Sequence, residues 1–126
     1  TIMSQPRNAV LVVEDEILIR MEAVDMMHDA GFRTYEAKSA DAALATLNGT
    51  SDIAILFTDV EMPGSMNGLK LAAHVSATWP DIRIIVASGI LGVRDADLPP
   101  GARFFPKPYH TDQIIDALHQ MTGDPA

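Results

Sequence analysis

Short apolar runs alternate along the chain with segments in which apolar residues recur at helical spacing. The first run, at residues 9–13, is continuous and rich in β-branched residues, which favours a strand that is covered on both faces. Together the short segments predict five strands, at residues 9–13, 32–37, 53–58, 82–87 and 102–105. The helical spacing predicts helices over residues 17–30, after an N-cap at Ser39, over residues 69–79, and after an N-cap at Thr111.

Strands that alternate with helices define the expected fold class. The order is a βα unit repeated five times, without a sequence repeat or a linker. Such a chain forms a parallel sheet with right-handed crossovers and helices on both faces, the doubly wound α/β architecture. Gly92, Pro99 and Pro100 interrupt residues 90–100, and each is unfavourable inside a helix. We therefore expect the fourth helix, between the fourth and fifth strands, to be short, irregular or partly unwound.

Composition narrows the class of protein. The chain has 126 residues, no cysteine, and 9 basic against 17 acidic residues, for a formal net charge of −8. This length suits one domain, and the lack of cysteine excludes a disulfide framework or a thiolate metal site. No apolar run reaches the roughly 18 residues of a membrane span, and residues 1–9 lack a secretory signal, so we expect a cytoplasmic protein. The acidic balance disfavours nucleic acid and anionic membranes as partners.

Polar side chains stand where the predicted strands end. Three acids at residues 14–16 follow strand one, Asp59 follows strand three, and Ser88 and Lys107 follow strands four and five. In open parallel sheets these ends form one edge, where ligands bind. Carboxylates about 5 Å apart at an effective dielectric constant of about 20 repel by roughly 3 kcal/mol, so a cluster of three needs a cation, or some of them must be protonated. Hard oxygen ligands without a nearby histidine favour Mg²⁺, with Mn²⁺ as the alternative.

The same residues indicate phosphoryl transfer. Asp59 is placed to act as a nucleophile that forms an aspartyl phosphate, with Lys107 and Ser88 as partners for phosphoryl oxygens. Each residue alone has an ordinary explanation. Asp15 and Glu16 would favour the positive end of the following helix, and Asp59, Ser88 and Lys107 suit solvated surface or turn positions. Their joint placement at four separate strand ends favours the chemical interpretation.

The ordered motifs resemble those of the response-regulator receiver domains of two-component signalling. The match covers residues 8–121, nearly the whole chain. It is carried by the segments VVEDE at 12–16 and TDVEMP at 58–63, Ser88 and Lys107-Pro108, with support from Gly68 and Phe104. The resemblance implies a flavodoxin-like, five-stranded parallel sheet with strand order 2-1-3-4-5.

The resemblance also implies a phosphoacceptor site. Asp59 would accept a phosphoryl group from a histidine kinase or a histidine phosphotransfer protein. Mg²⁺ would be bound by Asp15, Asp59 and the backbone carbonyl of Glu61, while Glu14 would act largely through water. Lys107 would pair with the phosphoryl group.

A switch is implied in the same way. Ser88 would turn towards a phosphate oxygen, and Phe104 would move with it, so that phosphorylation changes the surface formed by residues 88–110. The peptide bond between Lys107 and Pro108 would be cis, which proline tolerates because its trans preference is below about 1 kcal/mol.

Three features depart from the usual pattern of such domains. Glu14 stands where aspartate is commoner, which lengthens one arm of the expected metal site. The loop 64–68 is one residue longer than usual and carries Asn67 where an aspartate is common. The stretch between Ser88 and Lys107 is a few residues shorter than is usual in such domains. This difference affects the surface through which these domains usually contact their downstream partners.

We therefore expect a phosphorelay signalling switch, with a receiver domain over residues 8–122 and flexible termini at 1–7 and 123–126. It would be no enzyme beyond its own phosphorylation and dephosphorylation. It would act on an unknown downstream protein and form a homodimer on phosphorylation. Two alternatives stay open, a flavodoxin-like cofactor-binding module and a small aspartyl phosphohydrolase. The acids at 14–16 disfavour a phosphate-binding loop there, and no D-x-D motif follows strand one.

Overall fold

The computed structural model describes residues 8–62, 64, 66–89 and 93–122. Within these residues, five strands alternate with four α-helices and one short 3-10 turn. The strands are β1 (Ala9–Val13), β2 (Arg33–Ala37), β3 (Ile53–Thr58), β4 (Arg83–Ser88) and β5 (Arg103–Pro106). The helices are α1 (Ile17–Asp29), α2 (Ala40–Gly49), α3 (Gly68–Thr78) and α4 (Thr111–Thr122). The expected flexibility of residues 1–7 and 123–126 lies outside the described residues.

The five strands form one parallel sheet in the order β2-β1-β3-β4-β5. The predicted fold class and strand order are therefore confirmed. Val13, the last residue of β1, pairs with Ala37 on one side and with Thr58 on the other. The next residues of β1 and β3, Glu14 and Asp59, consequently leave the sheet side by side.

Two apolar clusters cover the two faces of the sheet. Leu11 and Val13 of β1 face one cluster, which α2 and α3 complete, while Val10 and Val12 face the other, which α1 and α4 complete. Every residue of β1 is fully buried. This double coverage explains why the β1 sequence is a continuous apolar run rather than an alternating one.

The ends of the helices match the predicted capping residues in one case and differ in two. The Ser39 hydroxyl accepts a hydrogen bond from the Ala42 N–H at 3.1 Å, which confirms it as the cap of α2. Thr111 was wrongly predicted as the cap of α4, because the N–H groups of Gln113 and Ile114 donate to the carbonyl of His110 and Thr111 lies inside the helix. Asn67 was missed as a cap, and its side chain accepts from the Lys70 N–H.

The connection from β4 to β5 contains a 3-10 turn at Asp95–Asp97, and no α-helix lies in its described part. The Arg94 N–H donates to Asp97 Oδ2 at 2.9 Å and holds this turn. Val93 and Leu98 cover the apolar cluster beneath it. The prediction of a short and irregular segment is confirmed for residues 93–100, while residues 90–92 lie outside the described chain.

Spanning a bilayer takes a helix of sufficient length and apolar composition, and no helix in the described part of the chain has both.

Candidate functional site

Three carboxylates meet at the carboxyl edge of the sheet. Oxygen atoms of Glu14, Asp15 and Asp59 all lie within 4.8 Å of one another. They open onto a cavity of about 350 Å³. Its lining residues come from the ends of β1, β3 and β4, from the start of α1 and from the loop after β5: Glu14, Asp15, Glu16, Ile19, Asp59, Glu61, Gly89 and Lys107. The acids predicted at the ends of strands one and three and Lys107 after strand five therefore share one solvent-accessible cavity, while Ser88 is not among its lining residues.

Asp59 is held by the backbone on both sides of it. Its own N–H donates to the carbonyl of Val13 at 3.1 Å, which continues the β1–β3 pairing by one residue. The N–H of Val60 donates to Asp59 Oδ1 at 2.8 Å. The side chain is 12% exposed, so the carboxylate is oriented and still accessible from the cavity.

Gly68 fixes the loop behind Asp59. Its N–H donates to the carbonyl of Val60 at 2.9 Å, so that the start of α3 packs directly on the backbone of residues 59 and 60. A Cβ atom at position 68 would lie 1.7 Å from the carbonyl oxygen of Asp59. Only glycine allows this approach. The sequence motif contained Gly68, but its contact with the Asp59 backbone was not predictable from the pattern.

Glu14 is a buried carboxylate, 5% exposed, whose two oxygens both accept hydrogen bonds. Oε1 accepts from Lys107 Nζ at 2.9 Å, and Oε2 accepts from the Glu16 N–H at 3.2 Å. Burial raises the pKa of Glu14, although the hydrogen bond from Lys107 opposes the shift. The negative charge of Glu14 is therefore balanced by one specific ammonium group.

Lys107 supplies the positive charge at the edge of the cavity. Its backbone N–H donates to the carbonyl of Ser88 at 2.9 Å, and its peptide bond to Pro108 is cis, as expected. Its Nζ atom also lies 3.7 Å from Asp59 Oδ1. Burial alone would lower the pKa of Lys107, but the hydrogen bond to Glu14 and the charges of Asp59 and Glu14 outweigh it, and the pKa is raised. The side chain is thus a cation held between two carboxylates.

The donor set fits a hard divalent cation. Three carboxylates that converge within 4.8 Å offer only oxygen ligands, as Mg²⁺ and Mn²⁺ prefer. One ammonium group at the same edge leaves the cluster with an excess of negative charge. Asp15 is exposed and Asp59 faces the cavity, so both are accessible to a hydrated ion.

The remaining predicted residues lie around this cluster. Glu61 is exposed and lines the same cavity. Ser88 is buried at the end of β4, next to Gly89 at the cavity wall. Phe104 pairs with Val86 across β4 and β5 and packs against the apolar cluster beside α2 and α3. The switch roles of Ser88 and Phe104 stay predictions.

One contact at the site involves a residue that the sequence patterns did not single out. The Arg20 guanidinium donates through Nη1 to the carbonyl oxygen of Glu14 at 2.8 Å. Its Nε donates to Glu36 Oε1 on β2 at 3.1 Å. A single basic residue on a helix carries no motif, so only the folded structure reveals this contact.

Comparison with known families matches this fold and this site. The family model described as the response regulator receiver domain matches residues 10–119. The chain therefore belongs to the response regulator receiver domain family, the receiver domains of two-component response regulators. Members of this family act as phosphoacceptors, bind Mg²⁺ in an acidic pocket, and interact with histidine kinases and downstream effectors.

Similar proteins support the assignment. The response regulator receiver protein CpdR of Brucella abortus (strain 2308) is 27% identical over 115 residues, which cover 89% of this chain and 94% of CpdR. The sensor kinase CckA of the same organism is 35% identical over 118 residues, which cover 89% of this chain and 12% of CckA. The chain thus spans nearly all of one relative and a small part of the other.

Solved structures agree on the architecture. The receiver domain of NtrX from Brucella abortus is 28% identical, with a TM-score of 0.81 and coverage of 92% of this chain and 99% of that one. A response regulator receiver protein from Sinorhizobium medicae WSM419 is 23% identical with a TM-score of 0.85, covering 92% and 94% of the two chains. The second likeness shows the fold alone.

Proposed function

We propose that this chain is a Mg²⁺-dependent phosphoacceptor switch in which Asp59 accepts a phosphoryl group from a phosphohistidine donor. One observation carries the proposal. The Asp59 carboxylate lies in an accessible cavity within 4.8 Å of two further carboxylates and 3.7 Å from an ammonium group. This is an arrangement for a nucleophile, a divalent cation and a phosphoryl group in one place.

The transfer is an exchange of one bond for another. An Asp59 carboxylate oxygen attacks phosphorus, and the phosphorus–nitrogen bond of the donor breaks, with its electron pair remaining on the imidazole. Val60 N–H orients the carboxylate for this attack through its bond to Oδ1. Lys107 Nζ, already beside Asp59, offers a charged hydrogen bond to a phosphoryl oxygen.

Asp15 and Asp59, together with the Glu61 backbone carbonyl, would hold the metal ion, and Glu14 would act through water. When bound, Mg²⁺ supplies positive charge that offsets the negative charge of the transferring group. Asp15 at the exposed rim and Asp59 at the cavity wall would place the ion next to the phosphoryl group. We further propose that Ser88 and Phe104 then change the surface of residues 88–110.

The exposed apolar face of α1 is our proposed docking surface for the histidine kinase or histidine phosphotransfer protein. Ile17, Leu18 and Met21 are 60%, 71% and 50% exposed, although all three are large apolar residues. Ile19, in the same helical turn, lines the cavity that contains Asp59. A protein that presents a phosphohistidine to Asp59 has to approach this rim, and the α1 face offers it an apolar contact there.

Phosphorylation by a small donor tests the phosphoacceptor proposal. With acetyl phosphate and Mg²⁺, intact-mass spectrometry should show one phosphoryl adduct on the wild type and none on Asp59→Asn. Asp116→Asn, which removes an exposed carboxylate from α4, should be phosphorylated normally. Chelation of Mg²⁺ should abolish the reaction. A wild type that gains no adduct from acetyl phosphate or from any kinase would reject the proposal.

The same preparation distinguishes the two alternatives. Sustained release of phosphate from varied monoesters would identify a phosphohydrolase, whereas we expect at most one turnover per Asp59. Flavin that copurifies with the protein would support a flavodoxin-like module. We expect none, because the acids at 14–16 occupy the position where such a module needs phosphate-binding Ser, Thr or Gly residues.

A further inference from the structure

Arg20 connects helix α1 to the turn that carries two of the three site carboxylates. Its side chain is only 15% exposed and donates in two directions. Nη1 donates to the main-chain carbonyl of Glu14 at 2.8 Å, and Nε donates to Glu36 Oε1 at 3.1 Å. The rigid planar guanidinium allows both bonds at once, which a flexible ammonium group does not reproduce.

The main chain of Glu14 is held from two neighbouring elements. Its N–H donates to the carbonyl of Ala37 at the end of β2, at 3.0 Å. Its carbonyl, which belongs to the next peptide unit, accepts from Arg20 of α1, so the peptide units on both sides of the Glu14 Cα atom are held. Glu14 is the first residue after β1, and Asp15 follows it. The direction in which both carboxylates leave the sheet therefore depends on these two peptide units.

We propose that Arg20 is a positioning residue for the divalent cation site and acts through the Glu14 carbonyl. Glu36 orients the guanidinium, and Arg20 in turn holds the 14–15 turn so that its carboxylates converge with that of Asp59. The inference rests on the proposed function, since it concerns the cation on which phosphorylation of Asp59 depends. Arg20 itself touches neither the cation nor the phosphoryl group.

The charge of Arg20 makes the inference testable by the sign of an effect. A positive group beside an acidic cluster repels a divalent cation, so its removal should tighten metal binding if charge alone matters. If Arg20 positions the carboxylates, its removal should weaken metal binding. Loss of residues that orient metal ligands typically costs about 10–100-fold in metal affinity.

Calorimetric titration of the unphosphorylated protein with Mg²⁺ decides between these outcomes. We expect Arg20→Gln and Arg20→Lys each to raise the Kd for Mg²⁺ by about tenfold, and Glu36→Gln by about threefold. Arg83→Gln, which removes an exposed charge at the opposite end of the sheet, should change it less than about twofold. Arg20→Lys keeps the charge and should remain folded, which thermal unfolding in chelator verifies.

Two results would overturn the inference. One is an Arg20→Gln protein that binds Mg²⁺ as tightly as the wild type or more tightly. The other is an Arg20→Lys protein with unchanged affinity, since charge without the two-way hydrogen bonding would then suffice. A wild type that binds no Mg²⁺ would instead reject the magnesium dependence of the proposed function, and this inference with it. The wild-type titration therefore separates the two failures.

Discussion

The Lys107 ammonium group forms its shorter contact with Glu14, at 2.9 Å, and stands 3.7 Å from Asp59. Glu14 stands at a position where aspartate is commoner. Its side chain is longer than that of aspartate by one methylene group, so its carboxylate reaches farther. The longer arm lets a buried carboxylate bind the lysine while the Asp59 carboxylate still faces the cavity. Lys107 is thus held close to Asp59, but its shorter hydrogen bond goes to Glu14.

The hydrogen bond between Lys107 and Glu14 predicts that substitutions at these two positions have non-additive effects on the free energy of unfolding. Lys107→Met should destabilise the metal-free protein by about 2 kcal/mol, because Glu14 is left buried without its partner. In the Glu14→Gln background the same lysine substitution should cost less than about 0.5 kcal/mol, since no buried charge remains to be balanced. Urea unfolding of the four proteins at neutral pH in chelator measures this coupling.

A coupling near zero would contradict the pairing of Lys107 with Glu14. In that case Lys107→Met would lower the free energy of unfolding equally in the wild-type and Glu14→Gln backgrounds, and Asp59 would be the principal partner of Lys107. Lys70→Met, on the exposed face of α3, serves as the matched control and should be neutral within about 0.5 kcal/mol.

Substitution of Gly68 by alanine should affect stability very differently from the same substitution at Gly49. Gly68→Ala should destabilise the protein by at least about 3 kcal/mol, because the new methyl group would meet the Asp59 carbonyl at 1.7 Å. It should also slow phosphorylation, since the loop that orients Asp59 has to move. Gly49→Ala, at the exposed end of α2 with nothing within 4 Å, should be neutral or stabilise by up to about 1 kcal/mol. Equal urea midpoints for the two variants would show that the contact at Gly68 does not constrain the loop.

Both tyrosines predict an alkaline dependence of stability. A hydrogen bond to Asp52 raises the pKa of Tyr35 above 10.0, and burial raises that of Tyr109 above the same value. A raised pKa in the folded state contributes stability that is present below pH 10 and is lost as the pH rises through the folded value. Ultraviolet titration of the folded protein should therefore show no phenol that ionises with a pKa below 10.0.

Asp52→Asn isolates the cause at Tyr35. It removes the charged acceptor at 2.9 Å from the phenol oxygen, so the pKa of Tyr35 should fall towards 10.0 while that of Tyr109 stays raised. Tyr35→Phe then identifies which ionisation step belongs to which residue. If Asp52→Asn left both steps unchanged, the bond between Tyr35 and Asp52 would not be the source of the shift.

The site was predictable as far as it depends on strand ends. Predicted strands that end at acids, a serine and a lysine place those residues at one edge of a parallel sheet, whatever their exact packing. The same argument brought Asp59 and Lys107 together, and the structure has them 3.7 Å apart. The apolar periodicity and the order of strands and helices are enough for this prediction, because they are properties of whole strands and helices and do not depend on individual side-chain contacts.

The partners inside the site were not predictable in this way. The choice of Lys107 between Glu14 and Asp59 depends on side-chain reach, and the bond from Arg20 goes to a backbone carbonyl that no sequence pattern marks. The cap of α4 was displaced by one residue because hydrogen bonds of the backbone at His110, and not the hydroxyl of Thr111, begin that helix. Each of these depends on local geometry.

The α1 surface predicts a separation between protein and small-molecule donors. The assay uses a labelled histidine kinase that phosphorylates the wild type. Leu18→Gln and Met21→Gln should each make phosphoryl transfer from this kinase about tenfold slower, because a central apolar contact in an interface is worth more than about 1 kcal/mol. The rate with acetyl phosphate should not change, since both side chains point to solvent and neither lines the cavity around Asp59. Ala45→Gln, exposed on α2, should leave both rates as they are. Equal slowing with both donors would place the effect at the phosphoacceptor site, and no slowing with the kinase would remove α1 as the docking surface.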